Sequence, residues 1–273
     1  MEMKKIRFFR DLIRMACDGW QLGWHEYHGG NITYRMNKQE AEQVQPFLTE
    51  DSPWVEMEEG FSVLGDSFFV VTGSGKCFRD ASEYPEEVFG IVKLNEKGTA
   101  YKVLWGLTGN GGKPTSEFMP HLFIHETKVQ IGEEYNRIVY HAHPKKAIIL
   151  TSILEHDSRK ITRALWDMEP ECPMTFPKGI GIIDWCVPGT VQLAQKTGEL
   201  MKKYNVVLWS QHGILVSAAD CNETIGIVHT VEKSSDMYLE IRKYKEEPVG
   251  VVTDEQYRKL AEVFHLDLPE EYI

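Results

Sequence analysis

A chain of 273 residues, of which 42% are hydrophobic, is long enough to bury a substantial core in one large domain or two small ones. Its formal net charge of −11 at pH 7 argues against nucleic acid as the main partner, because a polyanion is bound through a basic surface. A small phosphorylated molecule is not excluded, since a few backbone amides and one or two lysines can hold a single phosphate.

Two further features of the sequence concern cellular location. The five cysteines are scattered along the chain without a Cys-x-x-Cys pair, which fits free thiols in a reducing compartment. Charged residues interrupt the first twenty positions, and no segment has the length and apolar character of a membrane span. We therefore expect a cytoplasmic protein without a transmembrane segment.

The first third of the chain predicts one helix and two strands. Apolar side chains recur at helical spacing over residues 6–22, and the β-branched run 32–36 predicts a strand. The segment 37–66 is polar and acidic with little periodicity, and we interpret it as a surface insertion. Apolar strands are then predicted at 67–72 and 101–107, and each ends in a loop that contains glycines.

Helices and strands continue to alternate in the middle of the chain. Thr115 or Ser116 is predicted to cap a helix over residues 117–130, because a hydroxyl before an acidic residue is typical of a helix N-terminus. The apolar run 138–140 predicts the next strand, and a helix is expected at 145–154.

The last third predicts a helix at 191–204, a hairpin at 206–216 and a long helix at 222–244. A capping box at residues 253–256 predicts a short C-terminal helix. Since strands and helices interleave without a strict βαβ rhythm, we predict a single α/β domain over residues 1–273. The expected architecture is a three-layer α/β/α arrangement around a mixed, largely antiparallel sheet.

Histidines occur at the spacing of metal ligands in two places. His141 and His143 are two residues apart at the end of a predicted strand, so their imidazoles face the same side. His212 lies where a second apolar run enters a turn, and three neutral imidazoles suit a zinc ion with an open coordination position. His121 and His125, four apart on a predicted helix, could also chelate a metal, so spacing alone leaves the choice open.

The remaining histidines have no partner at ligand spacing and are expected to be surface or capping residues. They are His25, His28, His156, His229 and His265.

Three short motifs allow either a structural or a functional interpretation. Gly73-Ser74-Gly75-Lys76 does not fit a P-loop, and it is either a plain turn after a strand or an anion-binding one. Gly29-Gly30-Asn31 has the same two interpretations. In Pro114-Thr115-Ser116-Glu117, helix capping is the simpler explanation, although a carboxylate near a metal could also act as a general acid or base.

Five motifs follow one another along most of the chain: Gly29-Gly30-Asn31, Thr72-Gly73-Ser74-Gly75, Pro114-Thr115-Ser116-Glu117, His141-Ala142-His143 and Gln211-His212-Gly213. In this order they resemble the class II, zinc-dependent sugar-phosphate aldolases. The length of the chain and the segments 103–108 and 176–182 are similar to the longer members of that family. Fuculose-phosphate aldolases and ribulose-phosphate epimerases look similar around the histidines but are usually shorter.

The resemblance implies a reaction that splits a phosphorylated ketose into dihydroxyacetone phosphate and an aldehyde. It implies one zinc ion per subunit, bound by His141, His143 and His212, and an acid/base role for Glu117. Residues implied in holding the substrate phosphate are Gly30, Asn31, Ser74, Gly75, Thr115 and Ser116.

The resemblance also implies a homotetramer in which Glu171 matches a second carboxylate, presented near the site of a neighbouring subunit. One departure is His28, because the family more often has Asn before the Gly-Gly pair. This difference leaves the details of the phosphate pocket open.

Three other functions stay open at this point. A Schiff-base aldolase would use Lys76 or Lys113 and would not need a metal. A related zinc epimerase or fuculose-type aldolase would share the histidines. A non-catalytic assembly module of the same fold would lack them.

Overall fold

The computed structural model describes residues 2–109, 112–246 and 248–273. Over these ranges, no helix has the length and apolarity needed to cross a membrane. The strands are β1 (Asn31–Arg35), β2 (Val55–Glu56), β3 (Phe68–Thr72), β4 (Phe89–Leu94), β5 (Ala100–Gly106), β6 (Ile138–Ala142), β7 (Gly181–Ile183), β8 (Val206–Trp209) and β9 (Gly213–Ala218). The helices are α1 (Arg7–Gln21), α2 (Lys38–Val44), α3 (Pro85–Val88), α4 (Phe118–Gln130), α5 (Lys145–Ile153), α6 (Ser158–Trp166), α7 (Glu171–Thr175), α8 (Val191–Met201), α9 (Cys221–Arg242) and α10 (Asp254–Phe264).

All of these strands form one sheet in the order β2-β5-β4-β3-β1-β6-β9-β8-β7. The β7–β8 pair is parallel, and every other described pair is antiparallel. The predicted mixed, largely antiparallel sheet is therefore confirmed.

Helices cover both faces of the sheet, and neighbouring residues of β1 show the two sides. Thr33 hydrogen-bonds to side chains of α4, whereas the ring of Tyr34 stacks on Phe8 of α1. Helix α8 packs beside α4, and α9 packs beside α1 and α5. This alternation follows from the period of two along a strand, and it confirms the three-layer prediction.

Most predicted elements lie within a few residues of the observed ones. The sequence did not predict the helices α2, α3, α6 and α7 or the strands β2, β4 and β7. The C-terminal capping box is confirmed, because Thr253 and Gln256 exchange hydrogen bonds at the start of α10. In the segment 37–66, most residues are exposed or half-buried.

The same segment is anchored to the core by three buried side chains, Val44, Phe61 and Leu64. It also contains α2, whose first turn is capped by Asn37.

The antiparallel pairing brings several strand ends to the same edge of the sheet. Strand β6 ends where β1 and β9 begin, because Asn31 pairs with His141 and Ala142 pairs with Ile214. Strand β3 ends beside the start of β1 for the same reason. The motifs that follow or precede these strands are therefore collected at one edge.

Candidate active site

Three imidazoles meet at this edge of the sheet. His141 lies in β6, His143 follows that strand, and His212 lies in the turn between β8 and β9. The Nε2 atom of His141 is 3.1 Å from Nε2 of His143 and 3.3 Å from Nε2 of His212. The turn that carries His212 is tight, since Gln211 has a φ of 57°.

The chemistry of this cluster fits a bound divalent metal. The Nδ1–H of His141 donates to the carbonyl oxygen of Ile214 at 3.0 Å, which leaves its Nε2 lone pair facing the other two rings. Burial lowers the pKa of His141 well below its usual range and that of His212 to about 4, so both are neutral at pH 7. Ligand nitrogens around a tetrahedral zinc lie about 3.3 Å apart, close to the observed separations.

Close backbone packing fixes the rings. A Cβ atom on Gly213 would collide with the carbonyl oxygen of Ala142 and would lie 2.9 Å from ring atoms of His141 and of His143. The indole of Trp209 packs against His141, with 4.9 Å between ring centroids. Glycine is therefore required at position 213 if the three nitrogens are to converge.

A carboxylate that the sequence analysis did not single out supports His143. The Nδ1–H of His143 donates to Oε1 of Glu26 at 2.6 Å, and this bond leaves Nε2 of His143 free to face the cluster. Glu26 lies in a loop whose next residue, Tyr27, has a φ of 52°. Hydrophobic periodicity carries no information about such a loop, so the sequence held no usable signal for this contact.

We expect Glu26→Ala to weaken metal binding by about tenfold, because a carboxylate that orients a ligand histidine supports affinity to that extent. The effect is at the low end of the usual range because the Glu26 side chain is 69% exposed. Competition with a chromophoric chelator measures the dissociation constant directly. Glu262→Ala, on the exposed side of α10, is the matched control, and equal affinities in the two variants would contradict the role of Glu26.

Glu117 is buried beside the histidines. Its Oε2 atom is 3.7 Å from Nε2 of His141 and accepts a 2.7 Å hydrogen bond from Nδ2 of Asn31. Burial raises the pKa of the Glu117 carboxyl, and the hydrogen bond from Asn31 opposes that rise. A carboxyl with a raised pKa is well suited to donate or accept a proton near neutral pH.

The predicted cap of the following helix was wrong. Glu117 itself is the N-cap of α4, and its side chain turns to Asn31 rather than to the helix. Thr115 Oγ1 accepts from the backbone N–H of Glu117 at 3.3 Å, before the helix begins. No cap bond from Ser116 occurs among the described contacts of α4.

The loops proposed to hold a phosphate lie next to one another. The backbone N–H of Thr115 donates to the carbonyl oxygen of Thr72, and that of Ser74 donates to the carbonyl oxygen of Lys113, at 2.8 and 2.9 Å. Among the residues predicted to contact the phosphate, Ser74, Gly75 and Ser116 are exposed, whereas Asn31 and Thr115 are buried. Gly30 precedes β1 at the same edge.

His121 and His125 do not belong to the cluster of three imidazoles. Both are buried on α4 and share the hydroxyl of Thr33, at 2.9 Å from Nδ1 of His121 and 2.8 Å from Nε2 of His125. In the part of the chain that the structure describes, the group that can hold a metal ion consists of His141, His143 and His212.

We expect His121 to make the protein sensitive to acid. Burial lowers its folded-state pKa to about 3, so the unfolded chain takes up a proton below about pH 6.5 while the folded chain does not. Stability is therefore retained above pH 6.5 and lost as the pH falls toward 3. Between pH 7.5 and 5 the wild type should lose about 2 kcal/mol more than His121→Asn, measured by urea unfolding at each pH. Parallel losses in the two proteins would exclude this explanation.

Glu171 is exposed at the start of α7, which packs against α6 and α9. Across the described ranges, no hydrogen bond or ion pair joins it to the histidines of the same chain. Its predicted role, near the active site of a neighbouring subunit, stays a prediction.

A model of the family described as class II aldolase and adducin N-terminal domain matches residues 10–239 of the chain. The chain belongs to this family. Class II aldolases and this chain accordingly share the α/β architecture, and the family resemblance inferred from the sequence motifs is confirmed.

Two curated relatives of this class II aldolase are both named rhamnulose-1-phosphate aldolase. The rhamnulose-1-phosphate aldolase of Enterobacter sp. (strain 638) is 36% identical over 234 residues, covering 86% of this chain and 84% of the relative. That of Mannheimia succiniciproducens is 33% identical over 257 residues, covering 94% of each chain. A sugar-phosphate aldolase from Thermotoga maritima, a solved structure, has a TM-score of 0.75 at 25% identity and covers 89% of this chain and 98% of its own.

Proposed function

We propose that this class II aldolase catalyses the reversible, zinc-dependent cleavage of L-rhamnulose 1-phosphate into dihydroxyacetone phosphate and L-lactaldehyde, a step of rhamnose catabolism. The observation that carries the proposal is a buried carboxylate, Glu117, whose Oε2 atom lies 3.7 Å from Nε2 of His141 in a cluster of three imidazoles. The names of relatives that are 33–36% identical over most of the chain support this substrate.

His141, His143 and His212 would hold the metal through their Nε2 atoms. A zinc ion bound there would supply a Lewis acid that stabilises negative charge on the oxygen atoms of the ketose. Burial keeps His141 and His212 neutral, and hydrogen bonds to Ile214 and Glu26 orient the rings of His141 and His143.

Cleavage breaks the bond between C3 and C4 of the ketose. The C4 hydroxyl loses its proton as the C4–O bond becomes the aldehyde carbonyl, and the electron pair of the broken bond remains with C3. Glu117 then donates a proton to C3, which completes dihydroxyacetone phosphate, and it removes that proton in the condensation direction. The amide of Asn31 holds the Glu117 carboxyl in place for this transfer.

The phosphate of the substrate would be held by the loops at Gly30–Asn31, Ser74–Gly75 and Thr115–Ser116. Backbone hydrogen bonds join the Ser74–Gly75 and Thr115–Ser116 loops, and the backbone N–H of Ile32, next to Asn31, donates to the Thr72 hydroxyl, so the three loops are held next to one another. Binding energy from the phosphate, which does not react, would orient C3 toward Glu117.

The proton on the C4 hydroxyl needs a second acceptor, and we propose Glu171 of an adjacent subunit in a homotetramer. Subunit complementation tests this arrangement. Glu117→Gln and Glu171→Gln homo-oligomers should each be nearly inactive, whereas mixed oligomers refolded or co-expressed together should regain activity. In a mixed oligomer, one chain supplies Glu117 and its neighbour supplies Glu171 to the same site. No recovery in verified mixed oligomers would place Glu171 outside the neighbouring site.

The organisation of the protein is part of the same proposal. We propose one catalytic domain over residues 1–273, with 37–66 as an insertion, and a cytoplasmic location. The location is supported by the five cysteines, all of which are free thiols.

A coupled assay for dihydroxyacetone phosphate tests the activity. Release from L-rhamnulose 1-phosphate should be abolished by EDTA and restored by added zinc, and it should exceed release from L-fuculose 1-phosphate. Parallel assays for epimerisation of ribulose 5-phosphate cover the related reaction. Turnover that is insensitive to EDTA but blocked by borohydride with substrate would instead indicate a Schiff base on a lysine.

A further inference from the structure

His25 is buried directly behind the Gly29-Gly30-Asn31 turn. The sequence analysis expected a surface or capping residue, but only 2% of His25 is exposed, because α1 and β6 enclose it. It is not one of the clustered imidazoles, and the proposed mechanism gives it no proton to move. A buried polar side chain at this position needs its own explanation.

Both ring nitrogens of His25 are hydrogen-bonded. Because a carbonyl oxygen can only accept, Nδ1 carries the proton and donates to the Gly29 carbonyl oxygen at 3.0 Å. Nε2 therefore accepts from the hydroxyl of Tyr140 at 2.6 Å. Burial lowers the pKa of His25 to about 3, which agrees with a neutral ring holding one proton.

Two glycines open the slot that this ring fills. Gly30 has a φ of 77°, and a Cβ atom there would collide with Nδ1 of His25. A Cβ atom on Gly19 of α1 would lie 2.7 Å from Nε2 of the same ring. The imidazole thus sets how closely the Gly29-Gly30 turn can approach the body of the protein.

The ring also contacts two other elements of the candidate site. Tyr140 immediately precedes His141 in β6, and Phe78, which meets the His25 ring edge-on at 4.3 Å, follows the Ser74–Gly75 loop by three residues. His25 therefore lies at the junction of the metal-ligand strand and two of the loops proposed to hold the phosphate.

We infer that His25 is a positioning residue that holds the Gly29-Gly30-Asn31 turn in the conformation that binds the substrate phosphate. This inference rests on the proposed function, and it concerns substrate affinity rather than metal binding or proton transfer. Asn31 is also held by its pairing with His141, so loss of the His25 bond should disturb the turn more than the Asn31–Glu117 contact.

Two substitutions by amide residues distinguish the hydrogen bond of His25 to Gly29 from its hydrogen bond to Tyr140. The asparagine amide can take the place of Nδ1, so His25→Asn keeps a donor for the Gly29 carbonyl. The glutamine amide reaches the position of Nε2, so His25→Gln keeps a partner for Tyr140 and loses the bond to Gly29. We expect His25→Gln to raise the KM for L-rhamnulose 1-phosphate by about tenfold, with kcat and zinc content within about twofold of wild type. His25→Asn should restore the KM to within about threefold.

The affinity for inorganic phosphate, measured by isothermal titration calorimetry on the zinc-loaded protein, tests the Gly29-Gly30-Asn31 turn independently of catalysis. This affinity should fall in His25→Gln and recover in His25→Asn. If neither the KM nor the phosphate affinity changes in a folded His25→Gln protein, or if both variants change them equally, the inference is overturned.

Tyr140→Phe is a second variant that tests the same idea if His25→Gln does not fold. It removes one of the two anchors of the ring, and a KM raised severalfold is expected, whereas an unchanged KM and phosphate affinity would contradict the inference. A wild type that binds phosphate in a His25-dependent manner but does not cleave L-rhamnulose 1-phosphate would refute the proposed substrate and leave the role of His25 intact.

Discussion

Glu117→Gln is expected to lower the turnover of L-rhamnulose 1-phosphate by about 10³-fold while zinc remains bound. Glutamine keeps the size of the side chain and an oxygen that can accept from Asn31, but it cannot transfer a proton to C3. The imidazole cluster does not depend on this carboxylate for its ring orientations, since Ile214 and Glu26 set those of His141 and His143. The measurement combines steady-state rates with zinc content by atomic absorption.

Glu126→Gln provides the matched control for this variant. Glu126 lies on the same helix, α4, and burial likewise raises the pKa of its carboxyl, but it lines the groove between α4 and α8 away from the histidines. The activity of the Glu126→Gln variant should equal that of the wild type. A Glu117→Gln protein with unchanged turnover would remove Glu117 from the mechanism, and one that loses its zinc would show that the carboxylate is needed for metal binding.

His143→Ala is expected to reduce bound zinc from about one ion per chain toward zero and to abolish activity with it. Two imidazoles would remain, and the Glu26 carboxylate would lose its partner. Since His143 lies after the end of β6 and is half-buried, the substitution leaves the strand ladder intact. Zinc content and the thermal midpoint are measured on the same preparation.

The control for His143→Ala is His265→Ala, at the exposed C-terminal end of α10. It should keep full zinc and full activity. A His143→Ala protein that retains one ion per chain would refute the assignment of this ligand. Loss of zinc together with a collapsed thermal transition would call for the milder His143→Gln, which must also lose zinc if the assignment holds.

The residues that sequence reasoning could place are those whose positions depend on short-range geometry. His141 and His143 follow from the period of two in a strand, and His212 follows from an apolar run that enters a turn. The choice between these residues and the pair on α4 could not be made from spacing. It depends on Thr33, which faces α4 and takes both histidines of that helix as hydrogen-bond partners.

Contacts made by loops were not predictable for a different reason. The carboxylate of Glu26 and the ring of His25 reach the site through a loop with φ values of 52° at Tyr27 and 77° at Gly30. Such conformations are set by tertiary packing, and they leave no periodic pattern in the sequence. Strand β4 was missed for a related reason, because Gly90 weakens the β signal where Leu107 packs closely against the backbone.

The register between β1 and β6 has a consequence for how the protein matures. Asn31 pairs with His141 across the two strands. This single pairing therefore positions both the amide that hydrogen-bonds to Glu117 and one of the three imidazoles. A chain trapped with β6 displaced by a single residue would keep a hydrogen-bonded ladder, yet its imidazoles would point into the opposite layer. Such misfolded molecules would not bind zinc even when zinc is in excess. The number of tightly bound zinc ions per chain would therefore report the fraction of molecules with the correct strand register.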